Sequence, residues 1–90
     1  MGNVKRICRL LEKILQNPKH VRFEDLDKLL KEMGYEVKQR RRGSSHYNYR
    51  KKGEPLVITI PKDQPIKETY VKRVIKLLNL EEFYNENCKK

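Results

Sequence analysis

The sequence is poor in several residue types on which whole classes of protein depend. It has no tryptophan, two cysteines and two histidines in 90 residues, and 12 acidic side chains stand against 22 basic ones, a formal charge of +10. Cys8 and Cys88 lie at opposite ends of the chain without a C-x-x-C motif, so we expect no metal site and no cofactor. The length predicts one small domain and excludes a two-domain cofactor-dependent enzyme, since domains usually hold about 100 to 200 residues.

Long apolar runs are also missing. No stretch approaches the roughly 18 residues needed to span a bilayer, and the first residues lack the apolar segment and cleavage site of a signal peptide. We therefore expect a cytoplasmic protein with no membrane partner. A reducing cytoplasm would keep Cys8 and Cys88 as thiols, and Cys8 falls in the apolar stripe of the first predicted helix, where it serves as a small buried side chain.

Apolar periodicity predicts the order helix, helix, three strands, helix. A period of 3.6 residues predicts helices over residues 4–16, 23–33 and, after Pro65, 70–78. Gly34 is predicted to close the second of these helices. A period of two predicts strands over residues 35–40, 45–50 and 56–60. Leu80 and Phe83 extend the last helix or form one further turn, and residues 85–90 are predicted to be a polar tail. This order predicts an α+β sandwich, a three-stranded antiparallel sheet with helices on one face.

The alternation within the strands decides which side chains face the helices. In the second strand it places Tyr47 and Tyr49 on one face and three polar side chains on the other. If the tyrosines point to the helices, the polar residues must point to the open face of the sheet. The side chains predicted on that open face are His46, Asn48, Arg50, Lys38 and Arg40.

Seven basic residues lie between positions 38 and 52 with no acidic residue among them. Phosphate backbones attract such clusters through counterion release, and the arginine guanidinium group binds phosphate oxygens with two hydrogen bonds. A polyanion such as RNA is therefore the expected partner, and a solvated basic turn that keeps the protein soluble is the alternative. The residues predicted to contact RNA are Lys38, Arg40, Arg41, Arg42, Ser44, Ser45, Asn48, Arg50, Lys51 and Lys52.

His46 lies in the middle of this basic segment, on a predicted strand. Imidazole can donate or accept a proton near neutral pH, and cationic neighbours stabilise the charge on a transferring phosphoryl group. RNA supplies its own nucleophile, the 2′-hydroxyl group, so cleavage there needs no metal. A single exposed histidine is more often a phosphate or solvent contact than a catalyst, and the residues alone leave both roles open.

Three segments together resemble a known family. Residues 43–51 read Gly-Ser-Ser-His-Tyr-Asn-Tyr-Arg-Lys, residues 58–61 read Ile-Thr-Ile-Pro, and residues 65–67 read Pro-Ile-Lys, followed by Tyr70 and Val71. In this order they resemble the HicA toxins of bacterial toxin–antitoxin pairs. The family pattern is a Gly/Ser-Ser-His strand that ends in an aromatic residue and Arg, then a Val/Ile-Thr-Val/Ile-Pro strand and a closing helix. The resemblance covers about residues 23–78, and the Ser-His-x-x-aromatic-Arg run is its most specific part.

The resemblance implies a fold like a small double-stranded-RNA-binding domain and a metal-independent endoribonuclease. His46 would be catalytic, the substrate would be messenger RNA, and a HicB antitoxin would neutralise the toxin. The whole chain, residues 1–90, would form one domain with a HicA-like core over residues 21–80 and an additional N-terminal helix over residues 3–17. Family members often carry a further histidine where this chain has Lys62 and Asp63, so the second proton-transfer group is unassigned. A non-catalytic RNA-binding module with the same fold is the alternative, and a DNA-binding regulator is less favoured because no predicted helix gathers basic residues as the strands do.

Overall fold

The computed structural model describes residues 3–39, 46–62 and 65–89. This part of the chain contains four α-helices, one short 3-10 helix and three strands. In chain order they are α1 (Val4–Gln16), the 3-10 helix (Pro18–His20), α2 (Phe23–Glu32), β1 (Glu36–Gln39), β2 (His46–Arg50), β3 (Val57–Pro61), α3 (Glu68–Leu77) and α4 (Leu80–Asn87). None of the helices in the described ranges is long and apolar enough to cross a bilayer. The predicted α+β class and element order are confirmed, with α4 as a separate fourth helix.

Helix α1 forms because its N-terminus is capped and one of its faces is apolar. The Asn3 side chain accepts hydrogen bonds from the backbone N–H groups of Lys5, at 2.9 Å, and Arg6, at 3.4 Å, which satisfies donors that have no partner within the helix. Glu32, at the end of α2, accepts hydrogen bonds from the Asn3 backbone N–H at 3.0 Å and from the Arg6 guanidinium at 2.9 Å. These two contacts, the first more than the second, lower the pKa of Glu32, and they connect the start of α1 to the end of α2.

Gly34 turns the chain from α2 into the sheet. Its φ of 96° lies in the left-handed region, which glycine adopts without a steric penalty. The N–H groups of Gly34 and Tyr35 donate to the carbonyl oxygens of Lys31 and Leu30, at 3.0 and 2.9 Å. This pair of hydrogen bonds is the Schellman arrangement, and it confirms the sequence prediction that Gly34 closes the second helix.

The sheet is antiparallel, in the order β1-β2-β3. Val37 of β1 is paired with Tyr49 of β2, and Tyr49 in turn with Ile58 of β3. These residues, together with Tyr47 and Ile60, face the helices and contribute to one core that also takes in the buried faces of α1, α2 and α3. The alternation predicted from the sequence is therefore confirmed for the described part of the strands.

The C-terminal part of the chain differs from the sequence prediction. Residues 85–87 were expected in a polar tail, but they form the last turn of α4, which follows Asn79 in the left-handed conformation at φ 50°. Leu80 is buried, and Phe83 and Tyr84 pack against the core. These three apolar positions hold one side of the helix, while the polar residues after them occupy its exposed side. The sequence indicates the start of this helix through Leu80 and Phe83, but residues 85–87 include no apolar side chain that would extend the period.

The expectation that both cysteines remain thiols is wrong in this structure. Cys8 of α1 and Cys88, which follows α4, form a disulfide with their Cα atoms 5.6 Å apart. Helices α1 and α4 pack against each other, and this brings together two residues that are 80 positions apart in the sequence. The proximity of the two helices is a tertiary feature that neither the cysteine spacing nor the expected redox compartment reveals.

Candidate nucleic-acid interface

The side of the sheet turned away from the helices, here called the open sheet face, carries three rows of paired residues. The row nearest the start of β1 is formed by Glu36, Arg50 and Val57, and the next row by Lys38, Asn48 and Thr59. In the third row His46 is paired with Pro61. Of the residues predicted on this face, His46, Asn48, Arg50 and Lys38 are found there, and Arg40 lies outside the described residues.

His46 occupies the first position of β2, and its side chain is exposed. It stands at the end of the strand that adjoins residues 40–45. The predicted RNA contacts Arg40, Arg41, Arg42, Ser44 and Ser45 fall in that segment, which lies outside the described residues.

The helix-facing side of β2 is held by two aromatic contacts. Tyr49 has no exposed surface, and its hydroxyl donates to an Asp27 carboxylate oxygen on α2 at 2.6 Å. Burial, and then the hydrogen bond to Asp27, raise the pKa of Tyr49, so the phenol stays protonated at neutral pH. The ring of Tyr47 contacts that of Phe23 at 5.0 Å between centroids. The expectation that Tyr49 is a core residue is confirmed, and a phenol buried on this side cannot exchange protons with RNA on the other.

Asn48 lies in the middle row and is already engaged within the sheet. Its side-chain oxygen accepts a hydrogen bond from the Thr59 hydroxyl at 2.7 Å. This bond fixes the amide across the β2–β3 pair and leaves its NH₂ group as the part that can donate to an RNA phosphate or base. Thr59 was not identified from the sequence, because its proximity to Asn48 depends on the strand register.

Glu36 is a second residue that sequence reasoning did not include. It precedes the basic segment by two positions, yet the β1–β2 register places it directly opposite Arg50. Opposite charges at directly paired positions attract each other and lower the local positive potential. Of the two described cations of the basic segment on this face, Lys38 is therefore the one that has no acidic residue directly opposite it on β2.

Lys51 and Lys52 do not join the open sheet face. The pleat turns Lys51 towards the helix side of the sheet edge, where its ammonium group lies 5.7 Å from the centroid of the Tyr35 ring. Its Cε also approaches Gly34, so that a Cβ added at Gly34 would lie 3.4 Å from it. Lys52 is exposed in the turn between β2 and β3. Among the described residues, the structure thus places the cations of the basic segment on different sides of the molecule: Lys38 and Arg50 on the open sheet face, and Lys51 beside Tyr35.

Across the described ranges, no group of three or more His, Cys, Asp or Glu residues is arranged to hold a metal ion. The described side chains on the open sheet face that are chemically able to exchange a proton or bind a phosphate are an imidazole, two cations and one amide, those of His46, Lys38, Arg50 and Asn48. These are the groups that a polyanion would meet on this face.

A three-stranded antiparallel sheet with helices on one side and a polar open face defines the class: a small α+β domain consistent with the fold of double-stranded-RNA-binding domains. A family model described as the HicA toxin of bacterial toxin–antitoxin matches residues 23–80. The chain therefore belongs to the HicA toxin family. No curated protein and no solved structure matched the chain significantly. The matched segment contains α2, the sheet and α3, so α1 and nearly all of α4 lie outside it.

Proposed function

We propose that this HicA-family toxin is a metal-independent endoribonuclease that cleaves messenger RNA in the cytoplasm, with His46 as its general acid or base. One observation carries the proposal: the histidine of the family's Ser-His-x-x-aromatic-Arg run has an exposed side chain on the open sheet face. Imidazole at this place can reach RNA laid across the sheet, and it exchanges protons near neutral pH.

The chemistry needs one proton removed and one supplied. As the 2′-oxygen bonds to phosphorus, its proton leaves, and the bond from phosphorus to the 5′-oxygen breaks as that oxygen gains a proton. The products are a 2′,3′-cyclic phosphate and a free 5′-hydroxyl group. His46 performs one of the two transfers, and solvent or a lysine performs the other.

The strand geometry supports different tasks for Lys38 and Arg50, the two described cations of the basic segment on the open sheet face. His46 and Arg50 are four positions apart along β2, a distance of about 13 Å at roughly 3.3 Å per residue. Arg50 therefore contacts a phosphate further along the RNA and positions the chain. Lys38 is paired with Asn48, one row from His46, so its long side chain can approach the phosphate at His46. Arg40, Arg41 and Arg42, which precede His46 in the sequence, are proposed to bind RNA phosphates as well.

The test compares two substrates of identical sequence, one RNA and one with a single 2′-deoxy nucleotide at the cleavage site. The purified protein should cleave the RNA to a 2′,3′-cyclic phosphate without added metal and leave the substituted substrate intact, although it binds both. Binding to RNA with no cleavage would favour a non-catalytic RNA-binding module. Cleavage of the deoxy-substituted substrate would contradict the role of the 2′-hydroxyl group.

We propose further that a HicB-like antitoxin covers the open sheet face. An active ribonuclease must be restrained, and a surface with this excess of positive charge favours an acidic partner. Co-expression with the neighbouring reading frame should give a complex that buries at least about 1,000 Å² in total and blocks RNA binding. Two products that fail to co-purify at low salt would count against this partner.

A further inference from the structure

The disulfide joins two parts of the chain that lie outside the family match. Cys8 is on α1 and Cys88 follows α4, whereas the HicA model matches residues 23–80. The bond therefore connects the two flanking helices to each other, and neither of its cysteines belongs to the matched core. We therefore expect the bond to affect how α1 and α4 are held on the core.

Helix α1 is held by contacts that do not depend on the disulfide. Its buried residues are Ile7, Leu10, Leu11 and Ile14. Its N-terminus is capped by Asn3 and connected to Glu32 through the Asn3 backbone and the Arg6 side chain. Burial of four apolar side chains gives this helix a stable position on the core.

Helix α4 is held much less firmly. Of its eight residues, all within the described part of the chain, Leu80 alone is fully buried, and it is the first residue of the helix. Phe83 and Tyr84 pack on the core with part of their surface exposed. An isolated helix shorter than about 12 residues is marginal in water. The far end of α4 thus depends on Phe83, Tyr84 and the covalent bond at Cys88.

We propose that the Cys8–Cys88 bond is a redox-controlled clamp on the C-terminal half of α4. In the oxidised protein it holds this half against α1, and on reduction the half-helix detaches while the core over residues 23–80 stays folded. A dithiol reductant supplies the two electrons and two protons: the S–S bond breaks, Cys8 and Cys88 become thiols, and the reductant becomes a disulfide. Both cysteines are half-buried, so an attacking thiolate can approach the bond.

Detachment would open the groove between α1 and α4. Leu15 and Tyr84 form the apolar part of that groove, and Glu12 and Glu81 are among the residues at its edge. The groove is on the helical side of the molecule, and the open sheet face is on the other side of the sheet. The clamp therefore acts separately from the proposed ribonuclease site, and its test does not depend on cleavage activity.

The experiment is hydrogen exchange measured by mass spectrometry on the wild-type protein, with and without dithiothreitol, and on Cys8→Ser and Cys88→Ser variants. Reduction should raise exchange in peptides from residues 83–89 by about tenfold or more, while peptides from β2 and β3 remain protected. Both variants should resemble the reduced wild type and should not respond to dithiothreitol, and reoxidation of the wild type should restore protection.

Two outcomes would overturn the proposal. Equal exchange in residues 83–89 before and after verified reduction would show that the non-covalent contacts hold α4 without the bond. Equal loss of protection in α4 and in the strands would show that the bond supports the whole fold and not one helix. Because the wild type itself is measured in both redox states, a variant that fails to fold does not remove the test.

Discussion

The two faces of the sheet are formed by the same strands but are constrained in opposite ways. On the helix side, Tyr49 is fully buried and its hydroxyl bonds to Asp27. On the open side, His46 and Arg50 of the same strand are exposed. The pleat alternates these roles one residue at a time. Substitutions on the helix side should therefore change stability first, and substitutions on the open side should change RNA chemistry with little effect on the fold.

The largest difference in stability is expected between variants of two adjacent residues whose side chains point in opposite directions. Tyr49→Ala should lower the free energy of unfolding by about 3 to 5 kcal/mol, because it leaves a cavity in the core. Arg50→Ala should change it by less than about 0.5 kcal/mol, as is usual for exposed positions. Urea denaturation followed by circular dichroism measures both. Similar losses in the two variants would contradict the assignment of faces.

A smaller loss of stability is expected when only the hydroxyl group of Tyr49 is removed. Tyr49→Phe keeps the ring in the core but removes the donor to Asp27, and it should cost about 1 to 2 kcal/mol. Asp27 retains its ion pair with Lys31, at 3.0 Å. The double-mutant cycle with Asp27→Asn measures the coupling between the two groups. A coupling near zero would mean that the hydrogen bond does not hold β2 to α2.

The raised pKa of Tyr49 predicts a loss of stability in alkali. Burial keeps this phenol protonated in the folded protein, whereas in the unfolded chain it ionises near pH 10. The stabilisation is therefore fully present below pH 10 and is lost as the pH rises above it. Between pH 10 and 11 the advantage of wild type over Tyr49→Phe should shrink by about 1 kcal/mol. Tyr35, whose pKa burial also raises, is common to both proteins and cancels. A constant difference across this range would contradict the burial of the phenol.

The smallest effect on stability is expected from the cations of the open sheet face. Neutralising Lys38 and Arg50 together should leave unfolding almost unchanged, but it should lower the slope of log K for RNA against log salt by up to about two units. The matched control neutralises Lys13 and Lys76, two exposed lysines on the helices, and should leave the slope unchanged. Equal effects of the two double variants would show that RNA is attracted by net charge and not by this face.

The sequence was sufficient for features that depend on local backbone geometry. The period of two assigned Tyr49 and His46 to opposite faces, because successive side chains of any strand alternate. Gly34 marked the end of α2, because the reversal there needs a positive φ. Motif order predicted the family to which the chain belongs.

The features that the sequence did not predict all depend on tertiary contacts. Glu36 meets Arg50 through the strand register, and Lys51 turns away from the open sheet face to Tyr35. The Cys8–Cys88 bond depends on the packing of α1 against α4. Counting basic residues along positions 38–52 therefore overestimated the number of cations on one surface. It also left out Glu36, which lies on the same face of the sheet.

The most direct test of the proposed function replaces each of the two histidines in turn. His46→Ala should reduce RNA cleavage about 100-fold or more and abolish growth arrest, with unchanged circular dichroism and Tm and nearly unchanged RNA affinity. His20→Ala removes the same chemical group from the exposed 3-10 helix and should cleave RNA like the wild type. A folded His46→Ala protein that still cleaves RNA and arrests growth as the wild type does would contradict the catalytic assignment and favour the RNA-binding module.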